Sequence, residues 1–306
     1  MHKLAYIFPG QGSQYVGMGK DLYEQSAAAR TLFNKADELL GIPLSKICFE
    51  GPEDELKQTK NTQPAIFLHS VILTRLLENN GAAMVAGHSL GEYSALVFAG
   101  TITFEDGLKL VRLRGELMQR AGEQQKGTMA AIIGLEPNSV IELCKVARTV
   151  GIVQCANFNS PGQIVISGSV NGVHKTMELA KAHGAKLVKE LVVSGAFHSP
   201  LMQSAREELR AVLSATFIHD AKIPVYTNVT GKPVREAREI RSMLEEQLTS
   251  PVRWEESILS MIADGATTFV EIGPGKVLQG LVKRINGTVD VHGVDRFEDV
   301  EKFVPV

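Results

Sequence analysis

The chain has 306 residues, 44% hydrophobic and 22% charged, with a formal net charge of −2. That length allows one large domain carrying an insertion, or two domains, with apolar residues enough for a substantial core. Lys and Arg are scattered without a run, which argues against partners of the nucleic-acid or anionic-lipid kind.

Cys48, Cys144 and Cys155 are widely spread and lack C-x-x-C spacing, so neither a disulfide framework nor a structural zinc site is expected. The apolar run Leu4 to Phe8 stops at Pro9, too short for a signal-peptide core, and no later stretch reaches membrane-spanning length. A cytoplasmic protein is the expectation.

In chain order, Lys3 to Phe8 reads as a strand, followed by a glycine loop and a helical pattern from Asp21 to Gly41. A second helix is predicted from Pro64 to Glu78, then a strand over Ala82 to Ala86 and a helix over Glu92 to Ala99 closed by Gly100. Phe104 to Arg120 reads as a longer helix. From Lys126 to Val193 the spacing tightens. Strand (Thr128 to Ile133), helix (Asn138 to Thr149), strand (Ile152 to Ala156), turn (Ser160-Pro161-Gly162), strand (Gln163 to Ser167), helix (Asn171 to His183) and strand (Ala185 to Val193) give β-α-β-β-α-β, the ferredoxin-like unit. An α/β pattern then resumes. It comprises a helix after Pro200, a strand from Ile223 to Asn228, a turn at Thr230-Gly231-Lys232, helices over Arg235 to Leu248 and Trp254 to Ala263, and strands over Thr267 to Ile272 and Val289 to Val294. The fold class is therefore α/β: a large domain with a parallel sheet, made of residues 1–124 and 194–306, with an inserted ferredoxin-like subdomain at 125–193 and a cleft between them.

Gly87-His88-Ser89-Leu90-Gly91 reads G-x-S-x-G between the predicted strand and helix, the spacing of a nucleophile elbow. A serine hydroxyl attacks only when a base takes its proton, so a histidine must lie within hydrogen-bond reach. His88 has to leave the elbow in another direction, and His69, His174 and His183 fall in helical patterns that suit packing or surface roles. His198 is the best candidate, in the loop Ser194 to Pro200 where the inserted unit returns to the large domain. A hydrolase triad would add a carboxylate between serine and histidine, yet Glu136, Glu142, Glu178 and Glu190 belong to the inserted unit and none is well placed. Either a backbone carbonyl orients the imidazole, or the constellation departs from that of hydrolases.

Developing charge on a substrate carbonyl needs fixed donors. The Leu90 amide and the loop Phe8 to Gln14 are candidates. That loop lacks the third glycine of a dinucleotide fingerprint, since Tyr15 stands there, and the lysine of a phosphate loop, since Met18 stands there. In the helix Phe104 to Arg120, Arg112 shares a face with Lys109, Glu116 and Gln119, whereas Arg114 sits with Val111, Gly115 and Met118. An arginine on an apolar face must find an anion, either a protein carboxylate or a ligand. The sequons Asn228-Val229-Thr230 and Asn286-Gly287-Thr288 read as accidental.

Taken together, Gly10-Gln11-Gly12-Ser13-Gln14, Gly87 to Glu92, Arg114, Gly195 to Pro200, Gln247 to Trp254 and Glu271-Ile272-Gly273-Pro274-Gly275 resemble the malonyl-CoA:acyl carrier protein transacylase family nearly end to end. The resemblance implies an α/β-hydrolase-like large domain and a ping-pong transfer of malonate from malonyl-CoA to the phosphopantetheine thiol of acyl carrier protein. It implies Ser89 as nucleophile, His198 as base, and Gln247 as the residue whose main-chain carbonyl orients the histidine. The amides of Gln11 and Leu90 would be the oxyanion donors, and Arg114 the partner of the malonyl carboxylate. No metal or other cofactor is implied, and a monomer is. A serine hydrolase or thioesterase, and a noncatalytic carrier-binding subunit, are the competing classes.

Overall fold

The computed structural model describes residues 3–77 and 81–303. The predicted helix end at Glu78 lies outside the described residues. In chain order the elements are β1 (Lys3–Phe8), α1 (Lys20–Gln25), α2 (Ala27–Leu40), α3 (Leu44–Glu50), α4 (Glu53–Leu56), α5 (Thr59–Leu76), β2 (Met84–Gly87), α6 (Gly91–Phe98) and α7 (Phe104–Gln124). Then follow β3 (Gly127–Ile133), α8 (Pro137–Ala147), β4 (Val153–Ser160), β5 (Gln163–Ser169), α9 (Val170–Ala182) and β6 (Leu187–Glu190). After a 3-10 turn at Pro200–Met202 come α10 (Gln203–Ala215), β7 (Val225–Tyr226), β8 (Pro233–Val234), α11 (Ala237–Gln247), α12 (Trp254–Ala263), β9 (Ala266–Ile272), α13 (Val277–Ile285), β10 (Asp290–Val294) and α14 (Phe297–Lys302).

Two sheets organise this mixed α/β fold. The larger runs β10-β9-β1-β2-β7-β8, parallel except for the last pair. Its central strands are apolar on both faces because helices cover both. Tyr6, Phe8, Val85 and Val270 pack into one core, while Ala5, Ile7, Met84, Ala86 and Phe269 pack on the other side against Trp254, Ile258 and Leu278. The smaller sheet runs β4-β5-β3-β6 and is antiparallel throughout. Ala130, Ile132, Cys155, Ile164 and Ile166 face α8 and α9, whereas Met129, Ala156 and Val165 face the large core. The three cysteines are free and buried. Among the described residues, no helix is long and apolar enough to cross a membrane.

Three local differences from the sequence reading have physical causes. The pattern over Asp21 to Gly41 is two helices, because Ser26 is extended (φ −124°, ψ 123°) and its side chain accepts from the Ala29 amide as the cap of α2. Helix α5 begins at Thr59, with Pro64 inside it. Proline there removes the donor for the Lys60 carbonyl, and Arg112 Nη1 donates to that carbonyl instead at 3.0 Å. The strand around Val225 is only two residues long and turns back through Thr230-Gly231-Lys232 into β8.

Candidate active site

Ser89 sits between β2 and α6, in a turn that two glycines permit. A Cβ on Gly87 would stand 1.9 Å from the Gly91 carbonyl carbon, and one on Gly91 would stand 2.1 Å from the Phe8 carbonyl oxygen. Strand, turn and helix can therefore close onto β1 only without side chains at these positions. Ser89 (φ 51°) and His198 (φ 56°) are the only non-glycine residues with positive φ among those described. Such conformations cost about 1–3 kcal/mol each and persist only where surroundings over-determine them.

His198 stands in the loop that follows β6, 109 residues further along the chain than Ser89, yet its Nε2 lies 2.8 Å from Ser89 Oγ. Gln154 of β4 fixes that loop by donating to the His198 carbonyl at 2.8 Å. Gln247 is the last residue of α11, where a helix leaves carbonyls without intrahelical partners. Its carbonyl accepts from His198 Nδ1 at 2.9 Å. A carbonyl can only accept, so Nδ1 carries the proton and Nε2 is free to accept from the serine hydroxyl.

Arg114 is 1% exposed, on the inward face of α7. Its Nη1 donates to Gln63 Oε1 at 2.8 Å, and its Nη2 to Ser89 Oγ at 3.1 Å and to Gln247 Oε1 at 2.9 Å. Its Nε, also buried, has no partner among the described residues. The guanidinium lies 5.7 Å from the centre of the Tyr93 ring. Gln11, in the loop after β1, and Leu90, at the head of α6, both border the same cleft of about 350 Å³. Among the described residues, neither backbone amide donates to a protein acceptor. Five of the six residues expected from sequence line this cleft, Gln247 joins them through its bonds to His198 and Arg114, and Met129, Asn157, Asn159 and Val165 of the smaller sheet also line it.

Three residues of the site were not picked out from sequence. Gln63 anchors Arg114. Glu92 is buried three residues after the nucleophile, and its Oε2 accepts from Gln247 Nε2 at 3.0 Å and from the Asn228 amide at 2.9 Å. Asn228 itself bonds the elbow. Glu92 had one legible signal, an acid immediately before the largely apolar segment Tyr93 to Ala99. The acids Glu136, Glu142, Glu178 and Glu190 do not line the cleft. His88 turns to Asn159, 2.9 Å away, and its ring lies 5.5 Å from that of Trp254.

An acyl transferase domain family matches residues 5–296. The chain is 50% identical over 304 residues to the malonyl CoA-acyl carrier protein transacylase of Bacillus subtilis, covering 98% of this chain and 96% of that one. It belongs to the malonyl CoA-acyl carrier protein transacylase family. An acyl carrier protein S-malonyltransferase structure from Vibrio cholerae superposes with a TM-score of 0.95 at 43% identity, covering 98% of this chain and 99% of that one. A type II PKS acyl-carrier protein in complex with its malonyl-transacylase gives a TM-score of 0.94 at 41% identity, with 98% of both chains covered.

The electrostatics of this transacylase-family site follow from its burial. Desolvation, reinforced by the Arg114 cation, holds the His198 imidazole neutral, with its pKa lowered to about 3. Burial raises the Glu92 carboxyl to about 7, against the pull of its two donors and of Arg114. Gln247 is the link, since its amide oxygen faces the cation, its amide nitrogen faces the carboxylate, and its backbone faces the histidine.

Proposed function

We propose that the enzyme moves the malonyl group from malonyl-CoA to the phosphopantetheine thiol of acyl carrier protein through an ester on Ser89. The observation that carries this reading is the chain of contacts from Gln247 O through His198 to Ser89 Oγ, with a buried guanidinium on the same oxygen. In the first half-reaction His198 Nε2 takes the Ser89 proton as Oγ attacks the thioester carbonyl. The Gln11 and Leu90 amides stabilise the oxyanion. Collapse breaks the C–S bond, and His198 returns the proton to the departing CoA sulfur. In the second, His198 deprotonates the carrier thiol, whose sulfur attacks the ester, and Ser89 leaves with the proton restored. Arg114 pairs with the distal malonyl carboxylate. Both displacements are acid–base steps that call on no cofactor or metal.

The same reading makes residues 1–124 and 194–306 an α/β-hydrolase-like domain, with residues 125–193 as a ferredoxin-like insertion. The order β3-α8-β4-β5-α9-β6 and the sheet order β4-β5-β3-β6 support it. One chain supplies every residue of the site, which supports a monomer, working in the cytoplasm.

Intact-mass spectrometry after mixing with malonyl-CoA tests the mechanism. The wild type should gain one malonyl unit and lose it to carrier thiol, and Ser89→Ala should gain none. A malonyl adduct on Ser89→Ala refutes the nucleophile, and free malonate appearing faster than malonyl-carrier would make the enzyme a hydrolase.

A further inference from the structure

We infer that Asn228 is a positioning residue for the nucleophile, its side-chain amide clamping the two ends of the elbow and holding Ser89 in its left-handed conformation. The inference rests on Ser89 being the acylated residue.

Asn228-Val229-Thr230 has the spacing of a sugar acceptor but reads as accidental in sequence, and in the fold Asn228 is 0% exposed with both ends of its amide engaged. Oδ1 accepts from the Ser89 N–H at 2.6 Å, and Nδ2 donates to the Gly87 carbonyl at 2.6 Å. A donor and an acceptor presented to the C=O of one residue and the N–H of the residue two further on is the pattern a neighbouring strand offers. The topology explains why a side chain takes that place. The parallel ladder between β2 and β7 pairs Val85 with Val225 and Ala86 with Tyr226, and then stops. Beyond it the elbow turns away, and two residues after Tyr226 the Asn228 side chain supplies the bonds the backbone no longer reaches.

Asn228 is itself tethered. Its backbone N–H donates to Glu92 Oε2 at 2.9 Å, and its carbonyl accepts from the Arg253 amide at 2.9 Å. Gln247 Nε2 donates to the same Glu92 oxygen and to the Ser89 carbonyl, at 3.0 and 3.1 Å. Both backbone groups of Ser89 are therefore held by side chains, which is the over-determination a left-handed serine requires. The Ser89 N–H is spent on this clamp, so the next amide along, that of Leu90, is the one left for the substrate.

The test is rapid-quench measurement of malonyl adduct formation across malonyl-CoA concentrations. Asn228→Ala should lower the limiting acylation rate constant about 100-fold, the cost of displacing a reacting atom by an ångström, while apparent malonyl-CoA affinity stays within about threefold. A rate constant within about threefold of wild type overturns the inference, and so does an equal loss in affinity, which would make Asn228 a support of the pocket. Asn228→Asp supplies a second readout should Asn228→Ala fold poorly. Its ionised carboxylate can accept from Ser89 but opposes the Gly87 carbonyl. When protonated it offers one donor and one acceptor, as the amide does. Burial beside Glu92 raises the introduced carboxyl, so the ratio of variant to wild-type rate should climb as pH falls from about 8 to about 6. Glu92, Arg114, His88, His198 and Arg253 are the ionisable groups around it; Glu92, raised to about 7, is coupled to the introduced carboxyl, so the ratio is taken between Asn228→Asp and Asn228 in a Glu92→Gln background, which removes that coupling. A flat ratio overturns the clamp. Labelling of Ser89→Ala in the same assay would instead overturn the serine ester, and with it the mechanism.

Discussion

Replacing Arg114 by alanine should cost malonyl transfer far more than acetyl transfer. Charge-assisted hydrogen bonds contribute about 1.5–3 kcal/mol each. Arg114 has one buried donor, Nε, with no hydrogen-bond partner among the described residues, and a second, Nη2, shared between Ser89 and Gln247. Two bonds from this edge to the malonyl carboxylate, less the hydration the carboxylate gives up, come to about 3 kcal/mol. At 1.36 kcal/mol per tenfold, that is a factor of about 100 in kcat/KM. The substitution also strands Gln63 Oε1 and Gln247 Oε1 and leaves Glu92 without a balancing charge, a penalty common to every acyl group. The ratio of the two substrates removes that common part. Malonyl-CoA and acetyl-CoA presented together, with the acyl-enzymes weighed by intact-mass spectrometry, give the ratio directly. The preference for malonyl should collapse about 100-fold in Arg114→Ala. Equal losses for the two acyl groups would show that Arg114 supports the site without reading the substrate.

Gln247→Ala leaves the carbonyl that orients His198 in place and removes only the amide between Arg114 and Glu92, so it should lower acylation by about tenfold, well short of the loss in His198→Ala; equal losses would contradict this division of labour. In mild acid two opposed sets of buried groups act on stability. Burial lowers His69 to about 4 and His198 to about 3, so below the unfolded value near 6.5 the unfolded chain binds more protons than the folded one. These two groups therefore make stability rise with pH up to about 6.5 and fall away below it. Glu92 and Glu271, raised to about 7, act in the opposite direction over the same range. In His69→Phe they are unchanged, so the shift of the urea midpoint from about pH 7 to about pH 5 should be more favourable to the folded state than in the wild type, and equal shifts would refute the assignment.

Much of the catalytic apparatus could be read from the chain because its signals are local. Ser89 is announced by two glycines whose absent side chains let backbone meet backbone, and Arg114 by its helical phase with Val111 and Met118. His198 was legible from its loop, and the resemblance to a family added Gln247 and Gln11. What escaped was long-range. Asn228 reaches Ser89 across 139 residues, and nothing near Asn228 in sequence distinguishes it from a surface sequon. Gln63 reaches Arg114 across 51 residues from a helix whose proline reads as a start signal although the helix begins five residues earlier. The short helices α3 and α4 lack the length over which periodicity becomes visible.

The absence of a third, acidic member beside His198 follows from the substrate. A hydrolase triad places a carboxylate on the far imidazole nitrogen, where it stabilises the imidazolium. Here the acyl group brings its own carboxylate into the cleft, and a fixed negative charge beside the histidine would repel it while competing for Arg114. A helix-end carbonyl at Gln247 orients the ring with no net charge. Glu92, the carboxylate near the pair among the described residues, is set behind the Gln247 amide and reaches neither the imidazole nor the guanidinium through a hydrogen bond. Burial, reinforced by the Arg114 cation and not countered by a carboxylate partner, keeps the imidazole neutral well below its ordinary range, so at neutral pH it is in the form that can accept the serine proton. Arg114 donates to the same serine oxygen, and in the proposed mechanism it offsets the weakness of that base by stabilising the charge that builds there. In the mechanism proposed above, one guanidinium takes the place of a triad acid on the near side of the reaction and reads the substrate on the far side.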